Sequence, residues 1–197
     1  MTPAALPDPI AVALLVGRLL EKLRVAYVIG GSFASSLHGE PRSTNDVDVV
    51  ADLDPTTARL FVDSLGEAFY ADSSAAIEAA QSGTSFNIVH IETGLKVDVF
   101  VAGADPFDRV RLQRRQRIAI NAPEGQNTLY LDTAEDVVLR KLEWYHRGGE
   151  TSERQWRDVL AVLRVQQDLD DAHLRTWAER LGISDLLGRA RREAKGR

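Results

Sequence analysis

Two aspartates one residue apart, Asp46 and Asp48, stand among valines in "DVDVVAD". A strand turns successive side chains to opposite faces, so both carboxylates project from one side and Val47 and Val49 from the other. Adjacent carboxylates repel unless a cation lies between them. A hard divalent ion, ligated by oxygens and completed by phosphates and water, meets that need. "LKVDVFV" supplies a third: Asp98 shares a face with Lys96 and Phe100, while Val97, Val99 and Val101 share the other. If the two strands are neighbours, Asp46, Asp48 and Asp98 converge, and such a cluster can hold two metal ions that bridge an attacking hydroxyl and a leaving phosphate. An Asp-x-Asp on its own also describes an ordinary exposed strand face.

What lies upstream sharpens the chemistry. The apolar strand "AYVIG" ends in Gly30-Gly31 and feeds directly into a short helix at Ser32. Free N–H groups at a helix N-terminus form an anion site, and glycines without Cβ atoms let a phosphate approach closely. A phosphate cradle followed by a metal-binding carboxylate set is the equipment for handling a nucleoside triphosphate.

The set Gly30-Gly31-Ser32, Asp46, Asp48 and Asp98 resembles the nucleotidyltransferase superfamily with a polymerase-beta-type palm. "PRSTNDVDVV" is similar to the small bacterial nucleotidyltransferases of the AbiEii and MenT toxin type, whose Arg-x-Thr-x-Asp-x-Asp motif falls on Arg42, Thr44, Asp46 and Asp48. The resemblance runs from about Tyr27 to Leu163. It implies that Gly30, Gly31, Ser32, Arg42 and Thr44 bind the nucleotide, and that Asp46, Asp48 and Asp98 hold Mg²⁺, or Mn²⁺ in its place. Lys141 would contact the triphosphate, and Asp158 would face it across a helix hairpin. A plain ion pair between Lys141 and Asp158 is the structural alternative. The implied reaction transfers a nucleoside monophosphate from an NTP to an acceptor hydroxyl. The first candidate acceptor is the 3′ end of tRNA, with the protein as a toxin that has a cognate antitoxin. Transfer to an antibiotic or a protein hydroxyl is the second reading, and a catalytically idle fold serving as a binding module or antitoxin is the third.

The elements that must position these residues follow from periodicity and punctuation. The sequence predicts a helix from Asp8 to about Leu23, a strand at "AYVIG", a helix over 32–38 and a strand at "DVDVVA". Asp54-Pro55 opens a helix whose apolar face is Leu60, Phe61, Leu65 and Phe69, and "SSAAIEAAQSG" adds a short helical piece. Gly94 punctuates the strands "FNIVHI" and "LKVDVFV"; "RRQRIAI" and "TLYL" are further strands. Beyond Leu131 the period is helical, opened by Thr133 and Asp136 in capping-box spacing. The expected fold is therefore α+β: a nucleotidyltransferase palm, a mixed sheet flanked by helices, over residues 1–131, followed by a helical bundle over 132–197. Trp144 and Trp156 read as packing residues of that bundle. His38 reads as structural; His90 does too, with a lesser case for facing the Asp98 site.

Composition narrows the remaining classes. The chain has 197 residues, 44% hydrophobic and 27% charged, and no cysteine, which removes thiol nucleophiles and thiolate metal sites. No segment is apolar enough to span a bilayer, and the N-terminal apolar stretch carries Arg18, Glu21 and Lys22 at helical spacing, so a cytoplasmic location is expected. A net charge of −5 argues against a general nucleic-acid coat. Two basic stretches run against that average. One is the cluster Arg109, Arg111, Arg114, Arg115 and Arg117; the other is the tail from Ala172, with seven basic residues against three acidic ones. They read either as solvated faces or as a phosphate-binding surface for RNA.

Overall fold

The computed structural model describes residues 8–103, 105–122 and 125–196. The helices in chain order are α1 (Asp8–Lys22), α2 (Gly31–His38), α3 (Pro55–Leu65), α4 (Ser73–Ser82), α5 (Pro106–Arg114), α6 (Ala134–Arg147), α7 (Glu153–Val165), α8 (Asp171–Arg180) and α9 (Ser184–Lys195). The strands are β1 (Tyr27–Ile29), β2 (Asp46–Ala51), β3 (Phe69–Ala71), β4 (Ser85–His90), β5 (Lys96–Val101), β6 (Gln116–Ala122) and β7 (Gly125–Leu131). They fall into two compact units. Residues up to Ile29 join Thr44–Leu131, and Gly30–Ser43 join the chain from Asp132 onward.

The first unit is a seven-stranded mixed sheet in the order β3-β4-β5-β2-β1-β7-β6. The central pair β2 and β5 is parallel, and β4 and β1 flank it antiparallel. Alternation gives the sheet two different faces. Val47, Val49, Val97, Val99, Phe86 and Ile88 are buried on one, beneath α1, α3 and α4, with Phe61 of α3 edge-on to Phe86. On the other face α5 covers one end, where Leu112 joins Val28, Val50 and Ala102, with Phe100 packed against them. The carboxylates lie further along that same face.

Two elements differ from the sequence reading. The helix that the apolar pattern carries through Phe69 ends at Leu65, because Gly66 takes a positive φ of 60° that stops it. Phe69 then opens the short edge strand β3, and Leu60 is exposed rather than on the core face. The stretch after Asp105, to which the sequence reading gave no element, forms α5, and the strand expected at "RRQRIAI" follows it as β6. Asp105 caps α5, Pro106 starts it and buried Phe107 anchors it.

The second unit is helical. α2 packs on α6 and α7, and α9 packs on α7. The Thr133 side chain accepts from Asp136 N–H (3.2 Å) as the capping spacing predicts. Trp156 is buried against Tyr145, with ring centroids 5.2 Å apart, whereas Trp144, expected to pack, is half exposed. Gly39 ends α2 where backbone meets backbone: a Cβ there would lie 2.9 Å from Val162 N and 3.1 Å from Ser35 O. Among the described residues no helix is long and apolar enough to cross a membrane.

Candidate active site

In the sheet unit, β2 and β5 run in register: Asp46 pairs with Lys96 and Asp48 with Asp98. Strand spacing puts the paired positions about 4.8 Å apart. All four side chains are partly exposed, between the fully buried valines of each strand. The sequence expectation that the two strands are neighbours, with the three carboxylates on one face, thus holds at the level of the backbone. On the next strand Asn87 stands opposite Asp98. Thr44 braces the start of β2, its Oγ1 donating to Asp46 O (3.0 Å).

Like charges at that separation repel by roughly 3 kcal/mol at an effective dielectric near 20. An internal cation answers them: Lys96 Nζ lies 2.8 Å from Asp98 Oδ2. That hydrogen bond raises the Lys96 ammonium above the ordinary lysine range; burial opposes it, and the charges of Asp98, Asp46 and Asp48 add to it. Three carboxylates therefore act on one ammonium. Among the described residues no three Asp, Glu or His side chains are drawn together as a ready-made metal cage. The donor set still fits a hard divalent ion, being all carboxylate oxygen on an open polar face that already attracts a cation.

The helical unit holds a cluster of positive charge of its own. Gly30 and Gly31 open α2, Gly31 with φ of 57°, and no side chain caps the first turn. Arg42 lies beside it. Its Nε and Nη2 donate to Asp158 Oδ1 and Oδ2 at 2.9 and 2.7 Å, and Nη2 also donates to Ser32 Oγ at 2.6 Å. Lys141 Nζ donates to Asp158 Oδ2 (2.9 Å) and Gln155 Oε1 (3.1 Å). The Lys141–Asp158 ion pair is thus present, and Arg42 shares it. Burial alone would push the Asp158 carboxyl up, but the Arg42 hydrogen bonds and the Lys141 charge outweigh it and hold the group below the ordinary carboxylate range.

Arg154, which sequence reasoning missed, joins this group at the start of α7, its Nη2 3.5 Å from Ser32 Oγ. The signal was there: Arg154 and Asp158 are four residues apart, one turn along a helix face. Arg42 and Arg154 reach Ser32, and Lys141 shares Asp158 with Arg42, so cations gather at a helix N-terminus, which suits an anion.

The arginines after Asp108 divide. Arg109 and Arg117 are exposed and Arg114 is partly so. Arg111 is buried and pairs with Asp108 at 2.8 Å, and Arg115 stacks over Tyr130 at 4.7 Å. In the tail, Arg180 stacks on Trp177, Arg189 on Trp156, and Arg191 pairs with Asp171. His38 binds the Asp132 carbonyl (2.7 Å). His90 lies on the core face, packed on Phe69 and bonded to Thr93, so it does not face Asp98.

No protein-family description matches this chain, and no curated protein does. Solved structures do. An antigenic nucleotidyltransferase-like protein from Paracoccidioides brasiliensis aligns over 97% of this chain and 95% of its own at 20% identity and a TM-score of 0.57. The lincomycin-bound lincosamide antibiotic adenylyltransferase LnuA aligns over 82% and 99% at 14% identity, TM-score 0.49. A CCA-adding enzyme in complex with ATP aligns over 89% of this chain and 48% of its own at 14% identity, TM-score 0.42. The first of these carries the argument, and it concerns architecture. The fold is that of a nucleotidyltransferase: a mixed α+β palm with accompanying helices.

Proposed function

We propose that this protein is a divalent-metal-dependent nucleotidyltransferase that moves a nucleoside monophosphate from an NTP to an acceptor hydroxyl. The observation that carries the reading is the in-register pairing of Asp48 with Asp98 beside Asp46, on an open face of a nucleotidyltransferase-fold sheet. Asp46 and Asp48 would hold Mg²⁺ or Mn²⁺, which when bound supplies positive charge to the triphosphate. Ser32, the first-turn N–H groups of α2, Arg42, Lys141 and Arg154 bind phosphate oxygens and offset the charge that builds up on them. Asp98 orients the attacking hydroxyl and receives its proton. The hydroxyl oxygen forms a bond to the α-phosphorus, the bond from that phosphorus to the bridging oxygen breaks, and pyrophosphate leaves.

For the acceptor, our first reading is the 3′ end of tRNA, in a toxin of the AbiEii/MenT type with an antitoxin partner, acting in the cytoplasm. Exposed Arg109 and Arg117 support it. The inward uses of Arg111 and Arg115, and of several tail arginines, favour a second reading in which the acceptor is a small molecule or protein hydroxyl. Purified protein with Mg²⁺, each α-labelled NTP in turn and total tRNA tests the proposal, with Asp48→Ala as control. Label on tRNA that disappears in the variant supports the first reading. Label on protein or a small molecule supports the second. Absence of label with every acceptor class would leave a nucleotidyltransferase fold serving only to bind, and would sink the catalytic reading.

A further inference from the structure

The feature that the reaction above does not use is Lys96. It stands next to Asp98 on the same face of β5, two residues away, and directly across from Asp46 on β2. Its ammonium is committed to Asp98 at 2.8 Å, with Asp98 only 19% exposed at the side chain. A carboxylate pairing with a tethered ammonium has one fewer oxygen lone pair for a metal, and the ammonium occupies space that a second ion would need. On the next strand the residue opposite Asp98 is Asn87, a neutral side chain that does not compete for the ammonium.

We propose that Lys96 is a built-in cation that stands in for one of two metal ions, so that the site takes a single divalent ion, at Asp46 and Asp48, while Lys96 keeps Asp98 neutralised and aimed. Lys96 is then a positioning residue: it acts on the acceptor hydroxyl through Asp98. This inference rests on the metal-dependent reading above. It also sets a difference from any site of the same fold that gathers three carboxylates around two ions.

The test counts ions rather than turnover. The full-length protein is saturated with unreactive α,β-methylene analogues of ATP, GTP, CTP and UTP in turn. Protein-dependent Mn²⁺ is then counted by electron paramagnetic resonance against a nucleotide-only blank. The expected count is one ion per chain in the wild type, two in Lys96→Ala, and one again in Lys96→Arg, where a cation is restored. Lys96→Ala combined with Asp98→Asn should also return to one. Two ions in the wild type, or one in Lys96→Ala, would overturn the assignment of Lys96 and leave the metal site standing. A wild type without any protein-dependent ion, or an Asp48→Ala variant that keeps its ion, would remove the metal reading itself and this inference with it. Lys96 is 44% exposed, so its replacements should fold, and far-ultraviolet circular dichroism on the same samples checks this.

Discussion

Replacing Asp158 by alanine should destabilise the helical unit by about 3 kcal/mol, and the structure gives the reason. One carboxylate accepts two hydrogen bonds from Arg42, at 2.9 and 2.7 Å, and a third from Lys141 at 2.9 Å. Removing one partner of a buried pair costs roughly 3–5 kcal/mol, because the other charge stays buried without it. The Lys141 side chain is 5% exposed and carries most of that cost, while Arg42 at 24% can turn its guanidinium toward water. This places the loss near the lower end. For a chain of this size each kcal/mol moves the thermal midpoint by about 2–4 °C, so the expected fall is roughly 6–12 °C.

Tryptophan fluorescence is the assay, because Trp144, Trp156 and Trp177 all lie in the unit that holds Asp158. Lys141→Met is the companion variant. It deletes a buried charge but leaves Arg42 and Asp158 paired, so it should cost much less than Asp158→Ala while abolishing nucleotidyl transfer. The pH dependence has a definite sign. Asp158 lies below its unfolded-state value, so the unfolded chain binds the extra proton first on acidification. Its contribution is therefore complete above the ordinary carboxylate value of about 4 and fades as pH falls through the lower folded value. The gap between wild type and Asp158→Ala should be constant from about pH 5 to 8 and narrow below about pH 4. A fall of less than about 2 °C, which is under 1 kcal/mol by the same conversion, would refute the charge-anchor reasoning. So would equal losses in Asp158→Ala and Lys141→Met.

Two further perturbations test other parts of the argument. Gly39→Ala should cost about 1–3 kcal/mol in the same fluorescence transition, since its Cβ would press on the Val162 and Ala161 backbone, which cannot rotate away. Arg111→Ala should lower stability by about 3 kcal/mol as a buried ion-pair member. Exposed Arg117→Ala should stay within about 0.5 kcal/mol of wild type. If tRNA is the acceptor, Arg117→Ala should also reduce the slope of log affinity against log salt by about 1 in a filter-binding titration.

The parts of the site that were legible in the sequence are those governed by short-range rules. Period-two alternation puts Asp46 with Asp48, and Lys96 with Asp98, whatever surrounds the strands. Helix punctuation located Gly30-Gly31 and Thr133 in the same way. Long-range facts were not written locally. That Asp48 sits opposite Asp98 depends on a register fixed by two strands 50 residues apart in the chain. β3 escaped notice because three residues carry almost no periodic signal. α5 was hidden by its arginines, although Asp105-Pro106 has the same opening as Asp54-Pro55.

The charged residues show the limit most clearly, because a formal charge in a sequence does not say what it faces. Arg109 and Arg111 are two positions apart in one basic run, yet one is solvated and the other is 4% exposed against Asp108. Lys96 was visible on the face of Asp98, but a residue list records it as one more surface lysine. Only the placement of three carboxylates around it makes it a counter-ion. Asp158 is the mirror image: an acid that two cations hold ionised, so that the group around Ser32 stays positive in sum. In each unit an oppositely charged side chain offsets part of the cluster's charge. On the function proposed above, the residual charge is what draws a divalent cation to the sheet and a polyphosphate to the start of α2.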